Sequence, residues 1–368
     1  MRYLDHNATS PVCGSARQAW LEAVERWPGN PSSPHRMGGR AEHALDEARA
    51  EFAAILGCAP TDLIWTSGAT ESVNTVLHHL SHESTGEAWV SAVEHPCVHA
   101  AARRWFPGRH RPLPVTGQGV LELSSLANEL ERQRPAVVVL MAANNETGVL
   151  QPWPEAAALC RSFGVPFFCD AAQWLGKLPA AGLGPCEFVT GCAHKFGGVP
   201  GVGFLKVPGR IRPLLVGGSQ EEGQRAGTEN LPGIRACVAA LRERESELNQ
   251  RGPEQRAVDR DGFEARVLAE VPGAEGVGRF ALRLWNTSAV LLPVADCRRR
   301  WVVQLDRAGF AVSTGSACSS GKEKPSHVLE AMGIDGRGER LIRVSSGWDT
   351  KAGDWEALAA AITRIARE

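Results

Sequence analysis

The sequence lacks several features that would point to common classes of protein. It has no Cys-x-x-Cys pair, which excludes zinc-ribbon and thioredoxin-like interpretations. Its net charge is -1, so nothing suggests binding to nucleic acid or to an anionic membrane. The longest apolar run, residues 136–143, is far too short to span a bilayer. The first residues show no signal-peptide hydrophobic region, so a cytoplasmic location is expected.

The composition is that of an ordinary globular protein. The chain has 368 residues, of which 43% are apolar and 22% are charged, and this length predicts about two domains. Ten cysteines are many for a protein without disulfides, but Cys160, Cys169 and Cys237 lie within apolar patterns. Free cysteines in such patterns behave as small buried hydrophobes. We therefore expect reduced structural thiols, with Cys318 as an exception.

Strand-like and helical patterns alternate through the first two thirds of the chain. Strand-like runs lie at residues 63–66, 88–93, 136–141, 165–169, 188–190 and 202–207. Helical patterns lie at residues 44–56, 124–132, 154–163 and 230–248. Continuous apolar strands separated by helices predict an α/β fold with a mainly parallel sheet between helices.

The last third of the chain has a different pattern. Residues 251–262 are polar and contain helix breakers, which predicts a boundary there. Helices are then expected near 263–270, 298–308 and 325–332 and from Asp354, and strands near 282–292, 310–314 and 340–345. We predict a large domain at residues 16–250 and a smaller α+β domain formed by residues 1–15 and 251–368.

Two strand ends carry residues that suit a pyridoxal 5'-phosphate (PLP) enzyme. Lys195 follows a short apolar strand and precedes a glycine-rich stretch, which suits a Schiff-base lysine. Asp170 ends the preceding apolar strand, where a carboxylate would keep the pyridine nitrogen of PLP protonated. An aspartate at a strand end is more often a cap, but the pair favours a PLP enzyme.

Other strand ends carry candidates that have plainer alternatives. Ala69 and Thr70 open a helix and could cradle a phosphate, or the segment at 67–72 could be a plain Ser/Thr N-cap. His95 could stack on the pyridine ring and move protons, cap a helix, or pair with His99 on a metal, although no third ligand has recognisable spacing. Asn145 lies where α/β sheets bind ligands, or in an asparagine-rich turn.

Three further residues have side chains suited to the substrate or to the ring. Gln173 could donate a hydrogen bond to the phenolic oxygen of PLP. Arg343 could clamp a substrate carboxylate, or lie solvated on an edge strand. Cys318, in a segment of small residues, would be an accessible thiol, or a thiol without a role.

Together these motifs resemble one family, the cysteine desulfurases among the class V aminotransferase-like, fold-type I PLP enzymes. Each motif is weak alone, but their number and order over nearly the whole chain are highly specific. The matching segments are residues 3–9, 29–33, 66–72, 144–146, 170–173, 194–195, 225–230, 315–318 and 342–345. The segment that holds Cys318 and continues through residues 323–329 is similar to the long-loop group of nitrogen-fixation and iron–sulfur-assembly enzymes.

The resemblance implies a role for each candidate residue. Lys195 would bind PLP covalently and Cys318 would be the nucleophile that forms a persulfide, giving L-alanine from L-cysteine. Arg343, with Asn145, would bind the substrate. The other implied cofactor contacts are Ala69, Thr70, His95, Asn145, Asp170, Gln173, Cys192, His194 and Thr228, with His95 also catalytic. Thr228 would reach in from the partner subunit of a homodimer, and a sulfur-acceptor protein would take the sulfur.

Three departures from the family pattern affect these expectations. Cys192 stands where the family usually has serine, so a hydroxyl donor to the phosphate becomes a weak thiol donor. Glu222 stands where a basic residue is expected, which reverses the local charge. The chain ends soon after its terminal helix, which weakens the expectation of docking to an iron–sulfur scaffold.

Two other classes of function stay open at the level of sequence. One is a different PLP enzyme of this fold, such as a selenocysteine lyase or a transaminase, although Cys318 argues against a transaminase. The other is a non-catalytic sulfur-relay or scaffold protein that has lost PLP, against which Lys195 and Asp170 argue.

Overall fold

The computed structural model describes residues 1–250, 252–293, 297–315, 326–334 and 336–367. Its strands are β1 (Arg2–Tyr3), β2 (Leu63–Thr66), β3 (Ala88–Ser91), β4 (His110–Leu113), β5 (Val137–Met141), β6 (Phe167–Asp170), β7 (Phe188–Cys192), β8 (Gly203–Lys206), β9 (Glu275–Gly276), β10 (Thr287–Leu291), β11 (Phe310–Ala311) and β12 (Leu341–Ser345). Its helices are α1 (Gly14–Arg26), α2 (Arg36–Leu56), α3 (Ala69–Glu83), α4 (Pro96–Trp105), α5 (Leu123–Arg132), α6 (Trp153–Ser162), α7 (Leu231–Gln250), α8 (Pro253–Glu270), α9 (Cys297–Arg307), α10 (His327–Ala331) and α11 (Ala352–Arg367). None of the helices in these ranges is long and apolar enough to cross a membrane.

The centre of the fold is a seven-stranded sheet in the order β2-β8-β7-β6-β5-β3-β4. Strands β7, β6, β5, β3 and β4 run parallel, while β8 is antiparallel to both of its neighbours. The predicted α/β fold with a mainly parallel sheet is therefore confirmed. Strand β4 was not expected from the sequence; it lies at the edge, where Pro112 removes no ladder hydrogen bond from the interior.

The continuous apolar strands are explained by cores on both faces of this sheet. In β5, Val138 and Leu140 belong to one buried cluster, and the alternate residues Val137 and Val139 belong to another. The first cluster includes residues of α2, α6 and α7, and the second includes residues of α3 and α4. Because successive side chains point to opposite faces, a strand covered on both sides has no polar position. Helix α2 ends at Gly57, whose φ of 76° is in the left-handed region.

The C-terminal part builds a smaller antiparallel sheet, β12-β10-β9, next to its own apolar cluster. Leu4 belongs to that cluster, and β1 pairs with β11, so the N-terminal residues pack with the C-terminal ones. The helix expected near 263–270 begins ten residues earlier, at Pro253, so the polar residues 253–262 form the first half of α8. The sequence did not indicate this earlier start, because the buried apolar residues of α8, Phe263 and Val267, lie in the second half of the helix.

Strands β5, β6 and β7 lie side by side and point the same way. The residues that follow their carboxyl ends therefore meet at one edge of the sheet, where α/β folds bind ligands.

Candidate active site

Lys195 and Gln173 meet at the backbone of the N-terminal segment. Lys195 Nζ donates to the carbonyl oxygens of Asn7, at 2.7 Å, and Ala8, at 2.9 Å. Gln173 Nε2 donates to the same Asn7 carbonyl at 2.9 Å. The Asn7 side chain is fixed in turn by Thr287 and by the Asn145 carbonyl. The N-terminal segment thus joins residues that follow β6 and β7 to residues of the smaller sheet.

Asp170 is the last residue of β6 and is only 4% exposed. Its Oδ1 accepts a hydrogen bond from the Ala172 N–H at 2.9 Å. Burial raises the pKa of the Asp170 carboxyl above its usual value, although the Ala172 N–H and the nearby charge of Lys195 act against this shift. A buried carboxyl of this kind is stabilised as the anion when a cation, such as a protonated pyridine nitrogen, lies beside it.

Helix α3 begins at the same edge of the sheet and presents Ala69 and Thr70 in its first turn. A Cβ on Gly203 of β8 would lie 2.5 Å from Gly68 Cα, so glycine is required where the two backbones cross. The Ala69 N–H donates to the Cys192 thiol, and burial raises the pKa of that thiol to about 11. Cys192 is therefore a protonated thiol beside the helix N-terminus, where free N–H groups favour an anion.

His194 and His95 lie near this edge as neutral rings. His194 Nδ1 lies 2.6 Å from Thr9 Oγ1, and His95 Nδ1 accepts a hydrogen bond from Cys97 N at 3.2 Å, which caps α4. Burial lowers the pKa of each ring to about 4, and the positive charge of Lys195 is the second cause of this shift. The helix-capping interpretation of His95 is thus confirmed. Among the described residues, no group of three or more His, Cys, Asp or Glu side chains could hold a metal.

Arg343 lies in the middle of β12, buried and facing the N-terminal segment. Its Nη2 donates to Asp5 Oδ1 at 2.6 Å, and its Nη1 donates to the carbonyls of Asn145, at 3.1 Å, and Gly315, at 3.2 Å. Its Nε is buried and has no hydrogen-bond partner among the described residues. Arg343 is therefore not the solvated edge arginine considered as an alternative. Asn145 meets it through its backbone rather than its amide.

Glu146 contacts both residues that bracket the segment with Cys318. Its Oε2 accepts a hydrogen bond from Ser326 Oγ at 2.6 Å, and a Cβ on Gly315 would lie 3.0 Å from the same oxygen. Ser326 also caps α10. Cys318 itself lies outside the described residues. The two flanking residues nevertheless reach the site that contains Arg343.

Thr228 is exposed in the connection between residue 223 and α7 and is not drawn into this group of side chains. Glu222 is also exposed, and its carbonyl accepts a hydrogen bond from Arg210 at 2.8 Å. Its neighbour Glu221 is buried and holds Arg49 through both carboxylate oxygens, at 2.7 and 2.8 Å. The unusual acidic residue at 222 therefore faces solvent, while Glu221 has the structural role.

Several residues at the site had no role assigned from the sequence: Asp5, Asn7, Glu94 and Lys177. Asp5 and Asn7 lie in the segment 3–9, which resembles the family but indicated no role for either residue. Glu94 precedes His95 and is fully buried, and burial raises its pKa well above the usual value. Lys177 lies four residues after Gln173. No motif in the sequence indicates their contact, because a turn of the backbone brings the two side chains together.

The burial of His99, which has no role assigned in binding or catalysis, predicts that stability depends on pH. His99 packs edge to face on His327, and burial lowers the pKa of His99 to about 4. Since the unfolded chain binds this proton near pH 6.5, stability is lost as the pH falls from about 6.5 to 4. The wild type should lose unfolding free energy when the pH falls from 7 to 5. In His99→Gln we expect this loss to be about 1–2 kcal/mol smaller. Urea unfolding at both pH values measures this, and His43→Gln, at an exposed position, is the control.

Comparison with known proteins finds similarity along nearly the whole chain. The aminotransferase class-V family model matches residues 2–358. A cysteine desulfurase from Cereibacter sphaeroides is 39% identical over 368 residues, covering 95% of this chain and 92% of that protein. The solved structure of a NifS-like protein has a TM-score of 0.89 at 29% identity, covering 99% of both chains. That of SspA in complex with cysteine has a TM-score of 0.80 at 25% identity, covering 94% of this chain and 98% of SspA. These matches confirm the predicted fold class.

Proposed function

Because the chain belongs to the aminotransferase class-V family and, within it, to the cysteine desulfurases, we propose that it removes sulfur from L-cysteine with the help of PLP. The products are L-alanine and a persulfide on Cys318, from which an acceptor protein takes the sulfur. The observation that carries this proposal is the convergence of Lys195 and Gln173 on one carbonyl, beside the strand that ends in the buried Asp170.

The donor set at this edge of the sheet fits PLP. Ala69, Thr70, Cys192 and His194 would hold the phosphate, with Thr228 of the partner subunit in a homodimer. His95, Asn145, Asp170 and Gln173 would contact the ring. Bound PLP supplies an electron sink that weakens the bonds at the α-carbon of an amino acid.

The residues of the chain have distinct tasks around that electron sink. Lys195 would attach the cofactor and then move the proton at the substrate α-carbon, as a general base and acid. Asp170 would keep a proton on the ring nitrogen. Arg343 would bind the substrate carboxylate, and its buried Nε, which has no hydrogen-bond partner among the described residues, would be a further donor.

The sulfur step needs a thiolate from the protein. The Cys318 thiolate would attack the substrate sulfur, forming a sulfur–sulfur bond while the carbon–sulfur bond breaks. The electron pair of the broken bond stays with the substrate β-carbon, which takes a proton and gives alanine. Cys318 keeps the substrate sulfur as a persulfide, so the reaction is balanced without an oxidant.

Seven of the other cysteines are poor candidates for this nucleophile. Burial raises the pKa of seven described thiols: Cys58, Cys97, Cys160, Cys169, Cys186, Cys192 and Cys237. The thiolate is the attacking form, so a raised pKa makes a cysteine inert near neutral pH. This observation supports Cys318.

The proposal extends to assembly and domain organisation. A homodimer would complete each site with Thr228 from the partner, and residues 1–15 and 251–368 would form the domain that carries Cys318 and Arg343. The acceptor would be a cytoplasmic sulfur carrier or an iron–sulfur scaffold. Light scattering combined with an activity assay tests the dimer, and an active monomer at assay concentration would contradict it.

The experiment that tests the activity measures alanine and sulfide together. Holoprotein incubated with L-cysteine and a thiol reductant should release the two products in equal amounts. Parallel assays with L-selenocysteine separate a selenocysteine lyase, which would strongly prefer that substrate. A protein that binds no PLP after reconstitution would instead be a non-catalytic sulfur-relay protein, and the proposal would be wrong.

Arg343 offers a separate prediction for substrate binding. Arg343→Lys keeps the charge but loses the planar pair of donors, so the KM for L-cysteine should rise about 10–100-fold. PLP affinity should change little. Steady-state kinetics checks the effect. Arg340→Lys is the matched control, because the guanidinium of Arg340 donates to the carbonyls of Leu292 and Gly273 instead. An unchanged KM would remove Arg343 from the substrate site.

A further inference from the structure

Lys177 is a buried lysine that the proposed chemistry does not use. It is 4% exposed, and its Nζ donates to the side-chain oxygen of Gln173 at 2.5 Å and to the Gln173 carbonyl at 3.3 Å. Burial lowers the pKa of Lys177 well below its usual value, and the charge of Lys195 adds to this. A neutral amine still donates hydrogen bonds, so the contact with Gln173 holds in either state.

These contacts determine which way the Gln173 amide points. Its oxygen faces Lys177, and its nitrogen faces the Asn7 carbonyl, to which Lys195 also donates. A flipped amide would place an oxygen against the Asn7 carbonyl and a nitrogen donor against the Lys177 amine. The hydrogen bond to the Asn7 carbonyl would be lost, and the flipped NH2 group could bond Lys177 only when the amine is neutral, so the observed orientation is the favourable one.

The turn that carries Lys177 is held from the C-terminal part of the chain. Trp285 Nε1 donates to the Lys177 carbonyl and Trp348 Nε1 to the Gly176 carbonyl, each at 2.8 Å. Arg256 lies over both indole rings, at 5.2 Å from Trp285 and 4.7 Å from Trp348. Gly176 has a φ of 70°, and a Cβ there would lie 2.4 Å from Phe196 Cβ, so the turn requires glycine. The backbone of Lys177 is therefore fixed independently of its side chain.

We propose that Lys177 is a positioning residue that holds the Gln173 amide with its NH2 group toward the cofactor. The inference rests on the proposed function, because the second N–H of Gln173 would serve the anionic oxygen of the PLP ring. Without Lys177 only the Asn7 carbonyl favours this orientation, so the amide turns its oxygen toward that anion more often. Such a change disfavours the deprotonated form of the bound cofactor and weakens its binding.

The test uses Lys177→Met, which keeps a stem of four heavy atoms and removes the amine. We expect the PLP dissociation constant to rise about tenfold, and the apparent pKa of the absorbance change of bound PLP to rise by about 0.5–1 unit. Lys206→Met is the matched control. Lys206 is also buried, and its Nζ donates to the Cys186 carbonyl at 2.5 Å. That variant should lose stability while both PLP measurements stay at their wild-type values.

A double variant separates positioning from general damage. In a Gln173→Ala background, Lys177→Met should shift the PLP absorbance titration no further. Additive shifts, or a wild-type titration in Lys177→Met, would overturn the proposal. If Lys177→Met does not fold, Trp348→Phe removes the hydrogen bond to the turn and should give a smaller shift in the same direction; no shift there also overturns it. Absence of PLP binding by the wild-type protein would count against the proposed function instead.

Discussion

Replacing Lys195 with alanine is expected to lower alanine production from L-cysteine by at least about a thousandfold. The amine of Lys195 lies in hydrogen-bond contact with the Asn7 and Ala8 carbonyls, at the carboxyl edge of the sheet beside Asp170. General-base catalysis alone contributes roughly 10²–10⁴-fold, and covalent attachment of the cofactor is lost in addition. The visible band of bound PLP should shift, because PLP would then be held only by non-covalent contacts.

The measurement combines absorbance spectra, PLP retention on dialysis and product assays. Lys351→Ala, at an exposed position, is the matched control and should behave as the wild type. Wild-type alanine production by Lys195→Ala would remove Lys195 from the mechanism. A wild type that is colourless after reconstitution with PLP would contradict the cofactor assignment as a whole.

Cys318→Ala is expected to keep PLP and to bind L-cysteine, but to release sulfide at least about a hundredfold more slowly. The residues that flank the segment with Cys318 lie at the site: the Gly315 carbonyl accepts a hydrogen bond from Arg343, and Ser326 donates one to Glu146. In the proposed mechanism Cys318 supplies only the nucleophile, so its loss removes no cofactor contact. Binding and sulfur transfer should therefore separate.

Mass spectrometry after incubation with L-cysteine locates the persulfide. The extra sulfur should lie on the peptide that contains Cys318. Cys58→Ala should form the persulfide as the wild type does, whereas Cys192→Ala should weaken PLP binding, since Cys192 touches the N-terminus of α3. A persulfide confined to another cysteine, or wild-type sulfide release by Cys318→Ala, would refute the assignment.

Much of the large sheet could be predicted because its signal is local. Residues 137–141 are continuously apolar, and the structure buries alternate side chains of this strand on opposite faces. The same local reasoning failed at residues 253–262, where a polar stretch belongs to a helix whose buried apolar residues come later. Hydrophobic periodicity and composition predict a helix or strand well only when its buried residues fall within the segment that is considered.

The sequence by itself determined that Asp170 and Lys195 lie at the ends of consecutive apolar strands, where parallel strands bring such residues to one edge of a sheet. It also identified the family, because the order of short motifs is written in the chain. Only the tertiary structure decided that Asn7 joins Lys195 to Gln173, that Asp5 accepts a hydrogen bond from Arg343, and that Lys177 contacts the Gln173 amide. Most of these contacts join residues more than 150 positions apart, and all of them depend on how strands, turns and the N-terminal segment pack. Such geometry leaves no periodic pattern in the sequence, because it is specified by the packing of the whole chain.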